Sequence, residues 1–197
     1  MALIMSRDCH ETHAIRSRAM VPEAPLERND AGLYPAGEGW FVLNARDAQW
    51  FDSIELGLYT PFEGESARFT EVGMNIGILR PGEPSCMYHG EEAQEDFLVL
   101  SGECLLIIEG EKRPLKAWDF VHCPPWTEHV FVGSGDAPCV LLGVGARSKG
   151  RGLVYPVNEV ALRHGAGVET ETNSPAEAYA RFPETVPVPC PEELPSA

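Results

Sequence analysis

Two histidines and a group of carboxylates sit on short segments near the middle of the chain. The first segment reads Met87-Tyr88-His89-Gly90-Glu91-Glu92-Ala93-Gln94-Glu95, the second Pro124-Pro125-Trp126-Thr127-Glu128-His129. Imidazole and carboxylate together bind transition metals such as iron, manganese, nickel or zinc. Side chains alternate between the faces of a strand, so residues 89 and 91 share a face if this segment is extended. The chemistry these residue types point to is metal chemistry. No pattern for serine, cysteine or phosphoryl-transfer catalysis is visible.

The elements that must carry these residues read as short strands. Between residues 69 and 146, apolar runs alternate with turn signals: Gly73 to Leu79, then Pro81-Gly82; Asp96 to Leu100, then Ser101-Gly102; Cys104 to Ile108, then Glu109-Gly110. Phe120 to Cys123, His129 to Val132 and Val140 to Val144 follow. Turns every eight to twelve residues or so indicate an all-β sandwich or barrel. Upstream, Trp40 to Leu43 and Ile54 to Tyr59 read as two strands, with a turn at Asp47 to Phe51. Residues 1–30 are polar without a sustained period and read as a flexible arm. Past Arg147 the chain loosens. Asn173 to Phe182, with Ser174 as N-cap and Pro175 at N1, is the one convincing helix. The expected organisation is an arm over 1–30, a β-domain with N-terminal strands over 31–147, and a C-terminal arm with one short helix over 148–197.

Composition narrows the partners. The 197 residues suffice for one domain with a core and extensions. Thirty acidic against 15 basic residues give a formal charge of -15, which disfavours nucleic acid and anionic membranes. No apolar run reaches the length of a membrane span, and the N-terminus lacks the apolar stretch of a signal peptide. A cytoplasmic location is expected, with six unpaired thiols (Cys9, Cys86, Cys104, Cys123, Cys139, Cys190). Phe97 to Leu100 and Leu105 to Ile108 are apolar on both faces, so a homodimer is expected to cover one of them.

In this register the chain resembles the cupin superfamily, as a small single-domain cupin of the conserved-barrel type. The first cupin motif is matched by Pro81-Gly82, His89, Glu95 and Gly102. The second is matched by Asp119, Pro124-Pro125 and His129, with the hairpin from Leu100 to Glu111 between them. The resemblance covers roughly residues 75 to 145 and implies a jelly roll, that is, a double-stranded β-helix barrel. It maps the family's metal ligands to His89, Glu91, Glu95 and His129. Three positions depart from the pattern. Glu91 stands where the second histidine of a His-x-His pair is usual, and Trp118 and Trp126 replace turn glycines.

What the resemblance implies is one divalent metal ion: iron, manganese or zinc, with nickel less favoured. With Glu91 the site is neutral. Without it, His89, Glu95 and His129 remain as two histidines and one carboxylate, the ligand set of non-haem iron oxygenases. Glu91 is then free to move protons as a catalytic group. Trp126 is a candidate for the pocket mouth. The reading is a metal-dependent, dioxygenase-like enzyme on a small polar molecule. The alternatives are a non-catalytic small-ligand-binding cupin, with or without metal, and a cupin-type isomerase or lyase. His122 reads as an ordinary strand residue, Gln94 as turned away from Glu95, and Arg80, Arg113 and Arg147 as surface residues.

Overall fold

A computed structural model describes residues 20–147 and 152–195. His10, His13, Cys9 and the loosened stretch 148–151 lie outside the described residues, as does most of the expected N-terminal arm.

Among the described residues, fourteen strands and two short helices follow in chain order. The N-terminal strands are β1 (Leu26–Asn29), β2 (Gly32–Pro35), β3 (Trp50–Asp52) and β4 (Leu58–Thr60). The central ones are β5 (Val72–Leu79), β6 (Gly90–Glu91), β7 (Glu95–Ser101), β8 (Glu103–Ile108) and β9 (Glu111–Lys116). Then come β10 (Phe120–Cys123), β11 (His129–Ser134), β12 (Cys139–Ala146) and β13 (Leu153–Val154). Helices α1 (Glu159–Arg163) and α2 (Pro175–Ala178) and strand β14 (Val186–Val188) close the described chain. A seven-stranded sheet in the order β10-β7-β12-β5-β4-β3-β14 faces a three-stranded sheet in the order β11-β8-β9. The pairs β1-β2 and β6-β13 stand apart from them.

Alternation along each strand builds the core. Leu79, Val99, Val121, Cys123, Cys139 and Leu141 of the large sheet meet Cys104, Leu106 and Phe131 of the small one. This is the mostly antiparallel double sheet that the cupin resemblance implies. The opposite faces are covered largely within the chain. Ala161 of α1 and Ala166 pack on Ile107, Val130 and Val132. Trp50, with the tail residues Val188, Cys190 and Leu194, packs on Ile78, Val140 and Leu100. The apolar face left uncovered is therefore smaller than the sequence suggests. It centres on the row Phe120, Leu98, Leu142 and Ile76, which are in register across four strands, with Phe120 exposed.

Several expected elements differ. Trp40 to Leu43 forms no strand, only a single bridge between Trp40 and Glu23. The expected turn at Asp47 to Phe51 contains the start of β3. The following strand begins at Leu58 rather than Ile54, because Ile54 and Glu55 have φ of 25° and 75°, which breaks an extended run. Leu26–Asn29, within the segment read as an arm, pairs with Gly32–Pro35. The C-terminal segment holds two helices, not one. Asn158 caps α1, its Oδ1 accepting from Val160 and Ala161 N–H, and Ser174 caps α2. Helix α2 is shorter than the span read from sequence: it ends at Ala178, and the chain goes on in turns, the Ala180 N–H donating to the Glu177 carbonyl and the Phe182 N–H to that of Tyr179. Among the described residues, no helix is long and apolar enough to cross a membrane.

The two tryptophans at the family's glycine positions keep the glycine backbone. Trp118 has φ of 75° and Trp126 of 69°. A left-handed conformation costs an L-residue about 1–2 kcal/mol, partly offset by the greater freedom glycine has in the unfolded chain. Trp118 is 75% exposed, so little packing is lost on its removal. Trp118→Gly is expected to stabilise the fold by about 0.5–1 kcal/mol, read as a higher midpoint in chemical denaturation. A lower midpoint would show that the exposed indole holds the turn.

Candidate metal centre

His89 and His129 face each other across a single antiparallel bridge. The His89 N–H donates to the His129 carbonyl at 3.2 Å and the His129 N–H donates back at 2.9 Å. Directly opposed residues of such a pair put their side chains on the same face. The two rings accordingly lie 5.1 Å apart between centroids. Glu95 enters from the large sheet, as the first residue of β7, between Cys123 of β10 and Gly145 of β12. Gly145 leaves the space beside it open: a Cβ there would stand 3.6 Å from Glu95 Oε1.

Both imidazoles are oriented by the main chain. Nδ1 of His89 lies 2.8 Å from the Met87 carbonyl, and Nδ1 of His129 lies 3.0 Å from the Thr127 carbonyl. A carbonyl only accepts, so each Nδ1 carries a proton and donates it. When the rings are neutral, this leaves each Nε2 with its lone pair. Both Nε2 atoms face the same carboxylate oxygen: His129 Nε2 is 3.5 Å and His89 Nε2 3.9 Å from Glu95 Oε2. Ligand atoms of the three residues lie within 4.8 Å of one another. Ligands bound at roughly 2.0–2.2 Å to a common ion stand about 3.0–3.5 Å apart. The His129–Glu95 spacing of 3.5 Å fits such an ion directly, and the His89–Glu95 spacing of 3.9 Å exceeds it by a few tenths of an ångström. The donor set therefore fits a divalent transition metal. Anchoring of Nδ1 to a main-chain carbonyl is the usual support of a metal-binding imidazole.

The surroundings are mixed. A cavity of about 400 Å³ opens on the three residues. Leu58, Leu79, Phe97, Phe131 and Leu141 give it apolar walls, while Tyr59, Asn75, Ser85, Cys86 and Tyr179 bring polar groups. Tyr59, Asn75 and Glu95 also line a wider vestibule of about 920 Å³. There Arg147 forms an ion pair of 2.7 Å with the buried Glu63 and donates to the Phe69 carbonyl.

Glu91, expected as a fourth ligand, does not join the cluster. His89 bridges to His129, and two residues on Glu91 pairs with Leu153 of β13 while its carbonyl still accepts from the Trp126 N–H at 2.7 Å. Glu91 lines the vestibule, which it shares with Glu95. Trp126 is half-exposed and lines a separate groove with Leu153, Val154 and Pro175. His122 is an exposed strand residue paired with Asp96 at 2.7 Å, and Gln94 also bonds Asp96, away from the site. Arg80 pairs with Glu83 and Glu193. Arg147, read as a surface residue, is instead fixed in the vestibule wall. Sequence reasoning missed Asn75, Tyr59, Cys86, Tyr155 and Tyr179. Of these, Asn75 carried a signal, since alternation from Leu79 turns it inward along β5. Tyr155 and Tyr179 carried none.

The two imidazoles titrate far apart. Burial, then the neighbouring His89, pulls His129 down to about 4. Burial also disfavours the charged form of His89, but Cys86, Glu95 and the Met87 carbonyl outweigh it and push His89 up to about 9. Between those values the metal-free site holds one imidazolium proton, on His89, that an entering cation must displace. Metal affinity is thus expected to rise about tenfold per pH unit from roughly pH 5 to pH 8. Calorimetric titration in buffers of different ionisation enthalpy should show release of about one proton per ion at pH 7. Affinity flat across that range would mean that His89 is already neutral.

Residues 75–145 match the family model of the cupin domain. The chain is 23% identical over 125 residues to gentisate 1,2 dioxygenase 1 of Aquipseudomonas alcaligenes. That match covers 61% of this chain and 34% of the relative, so the chain spans only about a third of that protein's length. A putative sugar phosphate isomerase from Acidithiobacillus ferrooxidans is similar at 25% identity and a TM-score of 0.45, over 49% of this chain and 63% of that one. A sugar phosphate isomerase of the cupin superfamily from Silicibacter pomeroyi matches at 24% and 0.45, over 55% and 66%.

Proposed function

From the premise that this chain carries a cupin domain, we propose that it binds one divalent metal ion at His89, Glu95 and His129 and acts as a dioxygenase-like enzyme on a small polar molecule. The observation that carries the reading is the convergence of two Nδ1-anchored imidazoles on a single carboxylate at the mouth of a cavity. Two histidines and one carboxylate with open positions is the donor set of non-haem iron oxygenases, which puts iron ahead of manganese or zinc. The likeness to a gentisate dioxygenase supports the same class. A bound ferrous ion would supply dioxygen activation and an anchor for a substrate oxygen.

The chain's own residues do the rest. His89 and His129 are oriented through Nδ1 by main-chain carbonyls, so both turn Nε2 toward Glu95. Phe97 and Phe131 pack against His129 at ring distances of 5.2 and 6.0 Å and keep water from its flanks. Asn75 and Tyr59, between cavity and vestibule, orient the polar end of a substrate. Glu91 faces the vestibule, where it exchanges protons with solvent.

The test is dioxygen consumption by protein loaded with iron(II) under anaerobic conditions, against a panel of dihydroxybenzoates that includes gentisate and their neutral counterparts. Uptake that requires both iron and one class of substrate supports the proposal. Tight binding of panel members without uptake would favour the non-catalytic ligand-binding cupin.

A further inference from the structure

The segment that presents His89 has little strand pairing of its own. Isolated bridges tie it to β11 at Pro84 and at His89, and regular pairing starts only at Gly90. Yet three successive backbone N–H groups in it are satisfied, each by a different part of the chain. The Met87 N–H donates to the Tyr179 hydroxyl at 3.1 Å. The Tyr88 N–H donates to the Ala166 carbonyl at 2.7 Å, and the His89 N–H to His129. Two of the three acceptors come from the C-terminal segment, outside the residues that match the cupin model. The Met87 carbonyl lies between the first two of these bonds and orients His89 Nδ1 at 2.8 Å. The Met87 side chain is buried among Tyr155, Ala178 and Tyr179, which fixes the same residue from its other side.

We propose that Tyr179 is a positioning residue for the metal centre: its hydroxyl holds the Met87 N–H, and Met87 in turn holds the His89 ring. The C-terminal segment thus takes the place of a neighbouring strand and completes the site. Without the hydroxyl, the buried Met87 N–H has no acceptor there, and the segment must shift to find one. The Met87 carbonyl moves with it and releases the ring. The inference rests on the metal reading above for its consequence, but not for the brace itself.

Tyr179→Phe removes only the oxygen. It is expected to weaken cobalt(II) binding by about ten- to a hundredfold, the usual cost of losing a group that supports a ligand from behind. The visible bands of bound cobalt should shift as well, because the field at the ion changes with ring orientation. Trp50→Phe is the control for general destabilisation. It deletes another buried hydrogen bond, from Trp50 Nε1 to the Ala45 carbonyl, and should leave both readouts unchanged. In the metal-free protein, the His89 Nδ1 proton resonance should be visible in the parent and lost to solvent exchange in Tyr179→Phe. Parent-like cobalt affinity and spectrum in Tyr179→Phe would overturn the proposal. If the parent itself takes up no cobalt, the metal reading falls, and the brace is decided by the resonance alone: its survival in Tyr179→Phe overturns the brace, its loss supports it.

Discussion

Replacing His129 with alanine is expected to weaken divalent metal binding by more than about a hundredfold, beyond the loss seen when only a supporting group is removed. His129 is 2% exposed, and its Nε2 makes the closer of the two approaches to Glu95. Removing it leaves one imidazole and one carboxylate, too few to hold an ion against water. The fold should survive, because His129 joins the ladder through its backbone, which alanine retains. The hole left between Phe97 and Phe131 costs stability of order 2 kcal/mol. Cobalt or zinc titration, with circular dichroism to confirm folding, reads both effects. Parent-like affinity in a folded His129→Ala would remove this residue from the site.

The second large effect separates the two carboxylates. Glu95→Ala should abolish binding to the same degree as His129→Ala, because both Nε2 atoms converge on that carboxylate. Glu91→Ala should leave affinity within about threefold of the parent, the range of a nearby surface charge rather than a ligand. The reverse order would mean that Glu91 swings back to complete a four-ligand site, as the cupin pattern implies.

The contrast between these two residues shows what the sequence could reveal. Glu95 was legible because its distance from His89 and Gly102 is a spacing, and spacing survives folding. Glu91 was expected beside His89 from alternation alone, and the fold sets it outside the cluster, where neighbours distant in sequence hold it: Leu153 on one edge and the Trp126 N–H on the other. The same distinction runs through the fold. Phe120 to Cys123 was read with the boundaries of β10, and β5, β7, β8, β11 and β12 within a few residues, because each has an apolar run closed by a turn. Strand β9, Glu-Lys-Arg-Pro-Leu-Lys, was not read. It is a charged, proline-bearing edge strand whose pairing comes from its neighbour β8 rather than from its own pattern. Tyr155 and Tyr179 reach the site from a segment that has no periodicity linking it to the motifs. Only the folded chain brings them to Met87 and His89.

If His89, Glu95 and His129 hold one metal ion, the protein should carry it through purification. The most direct measurement is elemental analysis of untagged protein, purified without chelators and compared with Glu95→Ala prepared in parallel. Close to one equivalent of a single transition metal is expected in the parent, with iron the expected element, and a near-complete loss in the variant. A parent free of transition metal that also takes none up on reconstitution, or a variant that keeps the parent's content, would contradict it.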